Sequence, residues 1–242
     1  MEMSVSRIEL SLSPALYEWR TIKSHHTTVA VDVLRATTAI CAAFQSGVKE
    51  VVPLDSLEPL SEFHKNGYLR AAERGGRKIG EAECGNSPTE YLTMDLRGQR
   101  IAYSTTNGTI SILHGGDADR TLVGCFANID RLTEELTDHP QDLVILCSGW
   151  VNDVSIEDTL FAGALCDRLI ASGKYESTHD AVHMAIEMWH SCKNNPYDYC
   201  LQHASHVQRL KGFGADRDIE FSFRMNTCPV LPILNNGVLT LL

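Results

Sequence analysis

Short apolar runs alternate with helix-like segments along most of this chain, and that alternation constrains the fold more than any other feature. Thr28–Val33 (TVAVDV), Glu50–Leu54, Arg100–Ser104, Thr121–Cys125 and Leu143–Cys147 read as strands, with Tyr68–Ala72 as a further short one. Between and after them, Arg35–Gln45, Leu57–Lys65, Ser87–Met94, Gly108–His114, Ile129–Leu136 and Ile156–Ala171 read as helices. Gly47 and Gly173 stand where two of these helices should stop. Strands that are apolar throughout belong to sheets buried on both faces, so the pattern predicts an α/β fold with a mostly parallel sheet covered by helices. After Gly173 the pattern changes. Thr178–Ser191 and Tyr197–Lys211 read as helices, then Asp218–Phe223 and Val230–Leu234 as late strands, with Pro229 and Pro232 favouring a sheet edge for the last. No repeat or Pro/Ser-rich linker divides the chain, so residues 1–242 are expected to form one domain.

Charge narrows the partners. The formal net charge is -10 at pH 7, which repels phosphate backbones and argues against nucleic-acid binding. An anionic small molecule would need a local cluster of Arg, backbone N–H groups or a divalent cation. No apolar run is long enough to cross a bilayer. The N-terminal stretch MEMSVSRIEL lacks a basic region followed by an apolar run, the pattern of an export signal. A cytoplasmic protein with reduced thiols is therefore expected, and none of the eight Cys forms a Cys-x-x-Cys pair. A homodimer is the default expectation for a small α/β enzyme.

In open α/β sheets, ligands bind at the carboxyl ends of strands, so the residues in the strand-to-helix turns are the candidate site. The first turn, VDVLRATT, carries Asp32, Arg35 and Thr37. A carboxylate, a guanidinium and a hydroxyl there suit a metal and a phosphate together, and suit equally a structural Asp32–Arg35 ion pair with a helix cap. The second, CGNSPTEY, places Asn86 and Ser87 ahead of a helix start marked by Ser87-x-x-Glu90 with Pro at its first position. The third, Ser104, Thr105, Thr106, Asn107, Gly108 and Thr109, is rich in hydroxyls and is followed by a helical pattern. It suits an oxyanion nest but is no Walker A loop. The fourth, CSGWVNDVSIED, brings Asp153, Glu157 and Asp158 to the edge that holds Asp32, and such carboxylates suit Mg2+. Glu73-Arg74 adds an acid–base pair. His179, His183 and Glu187 share a helix face but lack a zinc motif, and His203 and His206 lack one too. Cys147-Ser148 has neither a Cys-x5-Arg loop nor a nucleophile elbow.

VDVLRATTAI, AAERGG, GNSPTEY, STTNGT, CSGWVNDVSIEDTLFAGAL and HASHVQRLKGFGADRDIEFSF with VLPIL, taken in order, resemble the 2-phosphosulfolactate phosphatase family over nearly the whole chain. The resemblance implies a three-layer α/β/α domain and a Mg2+-dependent acid phosphatase. Such an enzyme hydrolyses 2-phospho-3-sulfolactate to 3-sulfolactate and phosphate, a step toward coenzyme M. On that reading Asp32, Glu157 and Asp158 hold the metal. Arg35, with Thr37, Arg74, Asn86, Ser87 and the Ser104–Thr109 turn, binds the phosphate ester. Departures at GEAEC, Trp150 and Asn152 bear on the rest of the substrate. The competing expectation is a non-catalytic sensor or carrier of a small phosphorylated or sulfonated acid.

Overall fold

The strand segments expected up to Cys147 all form, and neighbouring residues on them pack into different cores. The computed structural model describes residues 5–242, so the first four residues of the MEMSVSRIEL stretch lie outside the described residues. One sheet contains β1 (Ser6–Ser11), β2 (His26–Val31), β3 (Glu50–Leu54), β4 (Leu69–Arg74), β5 (Arg77–Lys78), β6 (Arg100–Ser104), β7 (Arg120–Gly124), β8 (Asp142–Cys147), β9 (Tyr175–Glu176), β10 (Pro232–Asn235) and β11 (Val238–Leu241). Their order is β5-β4-β6-β3-β11-β10-β7-β2-β8-β1-β9. Two parallel blocks, β4-β6-β3 and β7-β2-β8-β1-β9, are joined by the antiparallel hairpin β10–β11.

Alternation along the central strands defines the two faces. Val29, Val31 and Leu122 pack into a core with the helices Ile129–Asp138, Ile156–Ala171 and Asp180–Cys192. Ala30 and Val123 pack into a second core with the helix Ala36–Gln45. The sheet therefore lies between helical layers, a three-layer α/β fold. The helix Ala36–Gln45 follows Asp32 so closely because its sequence, ATTAICAAF, is small enough to be buried all round.

The C-terminal region differs from the expectation in three places. Asp218–Phe223 is no strand but part of the helix Asp216–Ser222. Ile219, Ser222 and Phe223 are buried at helical spacing, a period that the alternation of Asp218, Ile219, Glu220 and Phe221 conceals. The last Pro-containing strand is not at an edge, because β10 lies between β7 and β11. Pro232 is tolerated as the first residue of its strand. Tyr197–Lys211 is divided at Ala204 into helices Pro196–His203 and Ser205–Lys211. Elsewhere Ser87–Met94 shrinks to a single turn, Pro88–Tyr91. No helix among the described residues is long and apolar enough to cross a membrane.

Candidate active site

The residue after β2 is Asp32, and the protein's own groups hold its carboxylate in place. The Ala36 N–H donates to Asp32 Oδ1 at 3.2 Å, and the Thr37 N–H and hydroxyl close on the Asp32 carbonyl at 3.0 and 2.8 Å. Thr37 is thus spent on the turn. Gly108 packs against the carboxylate from the other side. A Cβ there would lie 2.3 Å from Ala36 Cβ and 2.6 Å from Asp32 Oδ2, so only glycine permits the approach. Burial pushes the Asp32 carboxyl up to about 6. The His206 charge and the Ala36 N–H hold it down, while the charges of Glu73 and Glu157 add to the rise.

Arg35 is buried beside it and does not pair with Asp32. Its Nη1 donates to Asp218 Oδ2 at 2.9 Å and its Nη2 to the Gly76 carbonyl at 2.7 Å. Asp218 also accepts from the hydroxyls of Ser87 (2.7 Å) and Thr89 (2.6 Å). The Ser87 oxygen in turn caps the Glu90 N–H at 3.2 Å. One buried carboxylate therefore fixes both the guanidinium and the GNSPTEY turn. A guanidinium has five donors, so Arg35 retains N–H groups beyond these two bonds.

Asn86 is oriented by Tyr103, whose hydroxyl donates to Asn86 Oδ1 and leaves the amide NH2 as the outward donor. Burial, with Asp32 and Glu73 nearby, pushes the Tyr103 hydroxyl well up, so it stays protonated and donating. The hydroxyl-rich turn is largely occupied with itself. Thr105 and Thr109 exchange hydroxyl and N–H bonds at 3.1 and 3.2 Å. Thr106 donates to Glu73, and Arg74 donates to the Ser104 carbonyl and hydroxyl. Asn107 Oδ1 accepts the Val151 N–H at 3.3 Å.

The fourth turn separates its two acids. Asp158 uses both oxygens on backbone N–H groups, Val33 at 2.8 Å and Gly149 at 3.1 Å, and so ties the end of β2 to the loop after β8. Burial, then the charges of Asp32 and Glu157, pushes its carboxyl well up. Glu157 Oε1 pairs with His206 Nδ1 at 2.9 Å, and its Oε2 is buried without a hydrogen-bond partner among the described residues. The Trp150 ring lies 5.0 Å from the His206 ring and 4.3 Å under the Arg209 guanidinium.

Asp32, Arg35, Asn86 and Asn107, expected from three separate segments of sequence, thus line one narrow cleft together with Glu73, Trp150 and His206. Thr37, Arg74, Ser87, Ser104, Thr105, Thr106, Thr109 and Asp158 are placed behind it, holding the turns, and Gly108 gives Asp32 its room. Sequence reasoning set His206 aside and missed Asp218 as a site residue, because each is a single polar side chain on a C-terminal helix without a turn motif. His179, at the start of the helix Asp180–Cys192, lines a different pocket with Glu9. No three His, Cys, Asp or Glu side chains among the described residues are gathered to hold a metal by themselves. That still leaves room for Mg2+, which relies on one or two carboxylates plus waters and substrate oxygens. Asp32 Oδ2 accepts no hydrogen bond from the described residues, and Glu157 Oε2 is the orphan acceptor, so the donor set fits such a cation.

The family model described as 2-phosphosulpholactate phosphatase matches residues 13–237. A relative from Caldanaerobacter subterraneus subsp. tengcongensis is 32% identical over 214 residues, spanning 87% of this chain and 88% of its own. One from Thermotoga maritima is 34% identical over 215 residues, 89% and 92% of the two chains. One from Prochlorococcus marinus (strain MIT 9313) is 34% identical over 220 residues, 87% and 90%. Each bears the name probable 2-phosphosulfolactate phosphatase.

Proposed function

The chain belongs to the 2-phosphosulpholactate phosphatase family, and from that premise we propose that it is a phosphoric monoester hydrolase. Its reaction on this reading converts 2-phospho-3-sulfolactate to 3-sulfolactate and phosphate in the cytoplasm, with Mg2+, as a step toward coenzyme M. The observation that supports it most is the convergence of Asp32, Arg35, Asn86 and Asn107 on one cleft. Arg35 and the Asn86 amide donate to phosphoryl oxygens, and Asn107 lies across from them. The Arg35 charge is already matched by Asp218, and Asp32, Glu73 and Glu157 are close by. An ester phosphate would meet net repulsion there unless a cation accompanied it. Asp32 and Glu157 would hold Mg2+, which when bound neutralises phosphoryl charge. Asp158 stays behind them, fixing the two backbone turns. Asp32 must be ionised for this, whether the attacking oxygen is a water or its own carboxylate. Rapid-quench trapping of a phosphoenzyme on Asp32 distinguishes the two.

The test is phosphate release from 2-phospho-3-sulfolactate by protein stripped with EDTA, before and after adding Mg2+. Release that returns with Mg2+ supports the whole reading. Release indifferent to both removes the metal from it, and no release under any condition removes the function.

A further inference from the structure

A second pocket, of about 320 Å3, adjoins the cleft on the far side of Asn107. Thr106 and Asn107 belong to its wall, with Pro14, Ile110, Ser148, Val151 and the exposed His114. None of the residues lining it is Lys or Arg. Its most telling member is Ser148, the residue after β8. The Ser148 N–H is used, donating to the Val31 carbonyl at 2.8 Å. Its hydroxyl, on a residue 1% exposed, has no hydrogen-bond partner among the described residues. A buried hydroxyl without a partner is unfavourable, and native structures rarely leave one so unless a ligand or water completes it. Asn107 supplies a second donor. Its Oδ1 accepts the Val151 N–H, which turns the amide so that the NH2 is the free end. Ile110, Pro14 and Val151 offer apolar contact for a short carbon chain.

We propose that this pocket holds the acid group of the leaving alcohol, a carboxylate or sulfonate, through the Ser148 hydroxyl and the Asn107 NH2. The phosphoryl group meanwhile lies in the cleft beside Arg35. This rests on the phosphatase reading and adds to it the residues that choose the ester. Because the Ser148 and Asn107 donors are neutral, they select through hydrogen bonds to a fixed acceptor. Ser148 is then a specificity residue with no part in bond breaking. Its removal should alter which ester is preferred more than how fast a simple ester reacts.

The test compares three esters of secondary alcohols, each with Mg2+ present: 2-phospho-3-sulfolactate, 2-phospholactate and isopropyl phosphate. They carry both acid groups, the carboxylate alone, and neither. The wild-type protein should prefer the acid esters in kcat/KM. Ser148→Ala, whose fold is checked by its thermal melt, should lower the ratio of acid ester to isopropyl phosphate about tenfold or more. Loss confined to 2-phospho-3-sulfolactate assigns the sulfonate to Ser148, and loss with both acid esters assigns the carboxylate. Ile110→Trp, which fills the pocket from another side, should lower the same ratio. If the wild type shows no preference, or if the ratio survives both substitutions, the subsite is wrong while the phosphatase stands. If the wild type releases phosphate from none of the three, both are overturned.

Discussion

Asp32 is a carboxylate that the fold keeps at a cost to stability. Its folded value of about 6 lies above its ordinary 3.8. Between those two values the folded chain binds more protons at this site than the unfolded chain, so stability falls as pH rises through that window. Above about pH 6 the penalty is complete, on the order of 3 kcal/mol at 1.36 kcal/mol per unit. Asp32→Asn should therefore abolish turnover and, in EDTA at pH 7.5, melt several degrees above the wild type. The gain should vanish as pH falls to about 4, and an unchanged or lower melting temperature at pH 7.5 would remove burial as the cause. The acid limb of kcat/KM should fall below about pH 6 at limiting Mg2+ and move to lower pH as Mg2+ is raised, since proton and cation compete for one carboxylate. Gly108→Ala tests the packing of the same group. Its Cβ has no space between Ala36 and Asp32, so it should cost about 1–3 kcal/mol in a denaturant titration and displace Asp32 with loss of activity.

These residues were unequally legible in sequence. Asp32 and Asn107 follow apolar runs, where the topology of an α/β sheet already says a ligand site belongs, and Asn86 precedes a marked helix start. The expectation for Arg35 was double, a phosphate donor or an ion pair with Asp32, and the pair forms instead with Asp218, 183 residues away. No local spacing encodes such a contact. Asp218→Ala would leave the Arg35 charge buried without its partner and should destabilise by about 3–5 kcal/mol, read by denaturant unfolding. A change under 1 kcal/mol would mean that the pair is not what secures the guanidinium.

At the scale of elements, the longer strands between Thr28 and Cys147 were legible because each is a mainly apolar run that ends at a polar turn, whereas β1 was not read, its apolar residues being interrupted by Arg7 and Glu9. Among the late elements the helix Asp180–Cys192 was legible and the segment after it less so. Asp218–Phe223 alternates like a strand but packs like a helix, and only its neighbours decide which period matters. The hairpin β10–β11 carried a signal that sequence reading passed over. Asn236 and Gly237 both take positive φ, 50° and 80°, the backbone of a tight hairpin turn favoured by Asn-Gly. That hairpin joins the two parallel blocks of the sheet. Gly237→Val should accordingly lower stability by about 1–2 kcal/mol in thermal or denaturant unfolding, the cost of forcing a β-branched residue into the left-handed region. No loss would mean that the turn relaxes without disturbing the sheet.

For the whole molecule, the net charge of -10 and the acids around the cleft pose the same problem at two scales, since each opposes an anionic ester. The fold answers it locally, by bringing a paired Arg35 and two amides to the cleft that holds Asp32, with Glu157 paired to the His206 that lines it. Four turns that the sequence already assigns to one sheet edge meet there, and the structure adds which of their side chains line the cleft. The account therefore rests on one location for phosphate. Crystals grown with Mg2+ and orthophosphate should show the anion within hydrogen-bonding distance of Arg35 and Asn86, with the cation at Asp32. An anion seated elsewhere, with this cleft empty at saturating phosphate, would contradict the account.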